Sequence, residues 1–192
     1  SGIINTFKTL LPQGSYELTA YNTPEHIGIS GNTATVGESE PGYMEPMPGY
    51  LFSAHQTIDV MADDTLKVTV PVKQLVRLLN VELTVTEGDY NRVQSATATL
   101  DGVASRIDIV TGERTTAAKS LNTLVQNGNK FTTSFRLLGI IPTASQKLTV
   151  SILFTNGDTQ QIESNISDKL ADFNDRTEAK TLTGELLLPI EA

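Results

Sequence analysis

Apolar residues recur at every second position through most of the chain, in short runs separated by Gly, Asn and Asp. This is the period of half-buried β-strands. In Ser15–Tyr21, Tyr16, Leu18 and Ala20 share one face, and Glu17, Thr19 and Tyr21 the other. Further strands are expected at Gln56–Val60 and at Leu66–Val72, where Leu66, Val68, Val70 and Val72 alternate, with a turn at Asp63-Asp64-Thr65 between them. Val81, Leu83 and Val85 alternate next and end at Glu87-Gly88-Asp89. Ala96–Leu100 and Arg106–Val110 read as two strands joined by a turn at Asp101-Gly102. Phe131, Thr133, Phe135 and Leu137 share a face after Asn127-Gly128. Leu148, Val150, Ile152 and Phe154 run into Asn156-Gly157, a strong hairpin signal. A last strand, Thr181–Ile190, turns Leu182, Leu186, Leu188 and Ile190 inward, and Pro189 marks an edge.

Two regions depart from this period. Asn22–Tyr50 is dense in Pro and Gly and reads as a long surface loop with one short edge strand near Ala34–Val36. Ser167–Phe173 has the marks of a short helix, with Ser167 as N-cap and Leu170 and Phe173 facing the core. Residues 115–126 could add another helical turn. The fold class is therefore all-β, a sandwich or barrel.

Composition sharpens this. Among 192 residues there are 26 threonines, a β-branched type suited to strands. The net charge of −8 and the sequence pI near 4.7 argue against a nucleic-acid partner, which needs clustered Lys and Arg. No apolar run approaches the roughly 20 residues of a membrane helix. The absence of Cys removes disulfides, thiolate zinc sites and Cys nucleophiles together. Ser1-Gly2 reads as a processing boundary, which leaves any targeting segment outside this chain. Residues 1–72 carry 2 basic and 8 acidic side chains, and residues 73–192 carry 12 and 14. That shift places a domain boundary at 72/73, with the N-terminal part too short of strands to close a sandwich alone.

Candidate chemistry is sparse. His26 and His55 are the only histidines, lack metal-ligand spacing, and read as surface or packing residues. Glu38, Glu40 and Glu45 could gather around Ca²⁺, but the loop has no EF-hand pattern and reads better as solvated. Tyr43, Met44, Met47 and Tyr50 form one apolar group in the loop, either a partner contact or a flap over the core edge. Asn165-Ile166-Ser167 matches a glycosylation sequon, a triplet common by chance. No nucleophile elbow, P-loop or dinucleotide fingerprint is present. The expectation is no enzyme, no catalytic or metal residues and no cofactor.

Several short motifs occur in a telling order. Leu11-Pro-Gln-Gly-Ser-Tyr16 with Tyr21-Asn22, Val68-Thr-Val-Pro71, Ala96-Thr-Ala-Thr-Leu-Asp-Gly-Val-Ala104 and the Leu186-Leu-Leu-Pro-Ile190 ending resemble the fimbrillin-like proteins of the Bacteroidales type. The resemblance implies two transthyretin-like, Greek-key β-sandwich domains at 1–72 and 73–192, the first incomplete. It also implies an exported fimbrial subunit, anchor or tip component at the cell surface or outer membrane. Its partners would be other fimbrial subunits, or host or bacterial surface proteins or glycans. Membrane contact would come only through a lipid anchor outside this chain. A surface glycan-binding module is the competing function, and the absence of Trp weighs against it. Strand exchange, implied by the same resemblance, makes Leu182, Leu186, Leu188 and Ile190 a candidate donor. The same pattern also suits an edge strand of the chain's own sandwich.

Overall fold

The computed structural model describes residues 9–62 and 65–190. Fifteen strands carry the described fold. β1 (Gly14–Tyr21), β2 (Ile27–Ser30), β3 (Thr33–Val36), β4 (Glu38–Glu40), β5 (Tyr43–Met44), β6 (Phe52–Val60) and β7 (Lys73–Gln74) come first. Then follow β8 (Arg77–Glu87), β9 (Val93–Asp108), β10 (Arg114–Thr123), β11 (Val125–Asn127), β12 (Lys130–Leu137), β13 (Lys147–Phe154), β14 (Thr159–Asn165) and β15 (Lys180–Leu187).

Two sheets face each other over one core. The larger runs β14-β13-β9-β10-β5-β4, with the β2–β3 hairpin attached to β9. The smaller runs β11-β12-β8-β15. Leu79, Val81, Leu83 and Val85 of β8, with Phe131 and Phe135 of β12, bury into the same cluster as Ala96, Ala98 and Leu100 of β9 and Leu148, Val150, Ile152 and Phe154 of β13. Strict alternation aims each set inward, so this part of the fold follows directly from the period-2 pattern. A third, three-stranded sheet, β1-β6-β7, shares no strand pairing with those two.

Several expectations need correction. The Asn22–Tyr50 segment holds β2 to β5, and Ile27, Ala34, Val36 and Met44 join the core. Their partners are remote: β3 pairs with β9 and β5 with β10, so local composition could not reveal them. Residues 115–126 are β10 and β11, where pairing along β9 overrides the helical leaning of Ala117-Ala118-Lys119. Leu66–Val72 is not a strand. Leu66 and Val72 are exposed, Pro71 has no N–H to give, and no described strand pairs with the segment. Ser167–Phe173 forms no α-helix but two 3₁₀ turns, Asp168–Leu170 and Phe173–Asp175, because so short a segment barely repays helix nucleation. Leu170 and Phe173 are nevertheless buried, as expected.

Asp101-Gly102 is also not a turn. β9 runs unbroken through it, and the β9–β10 register shifts by one residue there. Gly102, at φ +73°, is the extra residue of a β-bulge. A Cβ on it would lie 2.6 Å from the Ser145 carbonyl oxygen. A glycine in the left-handed region suits a bulge as well as a hairpin, and only the pairing chooses. Strand pairing also runs across the 72/73 position, since Phe52 and Ser53 of β6 pair with Gln74 and Lys73 of β7. The Asp63-Asp64 turn lies outside the described residues.

Candidate assembly surfaces

The β1–β6 ribbon is built from two complementary alternations. Tyr16 lies opposite Ile58, Leu18 opposite Gln56 and Ala20 opposite Ala54, which gathers apolar side chains on one face. The other face is a polar ladder. Glu17 accepts from the Thr57 hydroxyl at 2.8 Å and pairs with His55 Nε2 at 2.9 Å, while His55 Nδ1 lies 3.1 Å from the Thr19 hydroxyl. Tyr16 donates to the Pro12 carbonyl at 2.9 Å. Asn22 stitches the ribbon's base: its amide gives to the Tyr50 carbonyl at 2.8 Å and its oxygen accepts from Phe52 N–H at 2.7 Å. The Tyr16 and Asn22 of the opening motif are thus both local staples. Beyond Ser53, no described strand pairs with the outer side of β6. Tyr16, Leu18, Ile58 and Val60 remain only half-buried, and Leu10, Tyr21, Met61, Leu66 and Val72 are exposed.

β15 is seated in the chain's own smaller sheet, parallel to β8, with Leu182 opposite Val81 and Leu186 opposite Val85. Leu182, Leu186 and Leu188 are buried; Ile190 is 76% exposed, contrary to its expected inward place. The strand ends at Leu187 and Pro189 offers no N–H, so the alternation has no ladder to hold Ile190 in phase. Gln160 of β14 gives a hydrogen bond to the Leu187 carbonyl at 3.0 Å and so bridges the edges of the two sheets.

The apolar loop group divides. Met44 is a core residue at 1% exposure, so it presents nothing to a partner. Tyr43 is half-buried, while Met47 and Tyr50 lie at the surface. The loop folds over β12: Arg136 N–H donates to the Pro46 carbonyl at 3.0 Å, and its guanidinium stacks 5.2 Å from the Tyr50 ring centre. Glu38 and Glu40 are exposed on β4, and Glu45 instead faces His26 at 3.7 Å. Among the described residues no three His, Asp or Glu side chains converge as metal ligands would.

Sequence reasoning missed a polar knot where β8 and β10 meet the segment before β15. Arg77 of β8 is 8% exposed, and its Nε and Nη2 donate to the Asn174 carbonyl at 3.3 and 3.2 Å. Arg114 of β10 donates to the Leu138 carbonyl at 2.6 Å and, at 3.5 Å, to the same Asn174 carbonyl. Burial, with Arg77 close by, brings the Arg114 guanidinium down to about 10; Asp175 opposes the shift. An arginine at the head of an apolar strand is the only local sign of such a knot.

No curated protein matches the chain in sequence. The family of fimbrillin-A associated anchor proteins Mfa1 and Mfa2 matches it over residues 2–185. In structure it resembles a candidate adhesin of Bacteroides ovatus, with a TM-score of 0.69 at 16% identity, over 95% of this chain and 78% of that one. It also resembles a candidate polysaccharide-binding protein of Bacteroides thetaiotaomicron, with a TM-score of 0.60 at 10% identity, over 94% of this chain and 72% of that one. The fimbrial anchor protein Mfa2 of Porphyromonas gingivalis gives a TM-score of 0.57 at 10% identity, over 87% of this chain and 65% of that one.

Proposed function

The chain belongs to the fimbrillin-A associated anchor family, and from that premise we propose a surface subunit without chemistry of its own that joins other fimbrial subunits by strand addition at the β1–β6 ribbon. Fimbrial and adhesive work at the cell surface comes with the family; the outer membrane as its site, and the anchor's place rather than stalk or tip, are part of the proposal. One observation carries the assembly reading. From Ala54 to Val60, the outer edge of β6 has no ladder partner among the described residues. A two-stranded ribbon is marginal in water, and unpaired backbone N–H and C=O groups at such an edge favour an added strand. An incoming segment with apolar residues at alternate positions would satisfy the edge and widen the face of Tyr16, Leu18, Ile58 and Val60. Leu182, Leu186 and Leu188 are already occupied in the chain's own core, which favours the ribbon over β15 as the contact.

The test is complex formation with purified fimbrial subunits from the same source, read by size-exclusion chromatography. Ile58→Asp and Leu18→Asp should each abolish the complex while the circular dichroism spectrum stays that of the parent. Undiminished complexes from both variants would sink the reading.

A glycan-binding reading has one observation behind it. Thr97, Ser151 and Gln161 lie abreast on β9, β13 and β14, and with Ser95, Thr159 and Gln160 they line a shallow depression of about 220 Å³. The fold neighbour described as polysaccharide-binding makes hydroxyl recognition there the second proposal. A glycan array with the purified chain decides it: saturable binding lost in Gln161→Ala supports it, and no binding removes it.

A further inference from the structure

Among the described strands β15 pairs with β8 alone, so it is a parallel edge strand with a single ladder partner, reached through residues 166–179. Such a strand is held by its own ladder and by whatever fixes the linker before it. The linker is fixed at several points. Leu170 and Phe173 are fully buried, and Asp172 pairs with Arg176 at 2.9 Å and with Lys180, the first residue of β15. Between these sits Asn174. Its carboxamide closes a two-way bond with the backbone of Ile140, accepting from N–H at 2.8 Å and giving to the carbonyl at 2.9 Å. Its own carbonyl receives Arg77 from the smaller sheet and Arg114 from the larger one.

We propose that Arg77, Arg114 and Asn174 form a clasp that keeps β15 docked, and that residues 174–188 open as one unit when the clasp is broken. Two cations converge on one carbonyl here, each reaching it from a different sheet, so the clasp ties both sheets to the linker. The desolvated guanidiniums need those acceptors, since a buried charge without hydrogen bonds is costly. Arg77 also gives to the Gln74 carbonyl, and Arg114 to those of Leu138 and Gly112 at 2.6 and 3.4 Å. Gly139 is the residue that lets the clasp close. At φ +123°, a Cβ on it would fall 2.2 Å from Arg114 Nε and 2.3 Å from Asn174 Oδ1. Opening would bare Leu182, Leu186 and Leu188 and uncover the edge of β8, changing which strand edges the molecule offers. The clasp is independent of the assembly reading of the β1–β6 ribbon.

Hydrogen exchange on the full chain, compared with both Asn174→Ala and Arg77→Lys, tests it: the first removes the carboxamide bonds to Ile140, and the second the forked contact to the Asn174 carbonyl, which a side-chain change at 174 leaves in place. The expected result is about tenfold or greater acceleration for the amides of residues 181–187, with those of β9 and β13 unchanged within about twofold. Unchanged β15 amides would mean that Leu170 and Phe173 suffice, and would overturn the clasp. Equal acceleration throughout would overturn the local unit. Should Asn174→Ala fail to fold, Arg77→Lys decides by the same readout: it keeps the charge and loses the forked contact, and it too must accelerate β15 selectively.

Discussion

Gly88 and Leu188 close against each other at the end of the β8–β15 pair. The Leu188 N–H donates to the Glu87 carbonyl at 3.0 Å, and a Cβ on Gly88 would lie 2.7 Å from both the Cβ and the carbonyl oxygen of Leu188. Gly88 also has φ +84°, a conformation that side chains with a Cβ rarely adopt. The residue just after β8 therefore sets how closely the last apolar side chain after β15 can seat.

Gly88→Ala should cost about 1–3 kcal/mol, from backbone strain and displaced Leu188 together. Urea unfolding followed by circular dichroism measures it. A change within about 0.3 kcal/mol would show that Leu188 moves aside freely.

Leu186→Ala should destabilise the chain by about 2–5 kcal/mol, the usual range for a buried leucine, whereas Ile190→Ala should change stability by less than about 0.5. The two side chains belong to one alternation in the sequence but lie at 2% and 76% exposure. Equal costs would contradict the seating of β15.

Phe154→Ala should cost about 3–5 kcal/mol, since the ring is 2% exposed and packs between the two main sheets. A loss below about 1 kcal/mol would mean that the inward face of β13 is reversed.

Asp172 governs part of the acid limb. Hydrogen bonds from Lys180 and then Arg176 hold its carboxyl down to about 2, from an ordinary 3.8. A depressed folded value stabilises above the unfolded value and loses that contribution as pH falls through the folded one. Stability should therefore fall between about pH 4 and pH 2 in the parent and fall less steeply in Asp172→Asn. Identical profiles of urea midpoint against pH would exclude the contribution.

Replacing His26 and His55 together with Gln should change stability by less than about 1 kcal/mol, because their pairs with Glu45 and Glu17 are at the surface. Thermal unfolding at neutral pH checks this, and a collapse of the transition would assign these rings a larger role.

What was legible in the sequence was whatever is encoded locally. A period of two points Leu83, Val150, Ile152 and Phe154 into the core, and all four are buried. Asn127-Gly128 and Asn156-Gly157 stand between alternating runs as hairpin signals, and both glycines are left-handed, at φ +60° and +90°. The Thr-rich composition and the order of short motifs carried the fold class and the family. Tertiary structure decided which edges meet. β2 to β5 exist because β9 and β10 supply ladders from more than fifty residues away, while Leu66–Val72, with an equally regular alternation, pairs with no described strand and forms none. Gly102 became a bulge rather than a turn because β9 pairs with β10 on both sides of it, one residue out of register. Arg77 and Arg114 reach Asn174 across 97 and 60 residues, a meeting with no periodic trace. Alternation states that a segment has two unlike faces; only pairing, whose hydrogen bonds come from elsewhere in the chain, decides whether those faces are used.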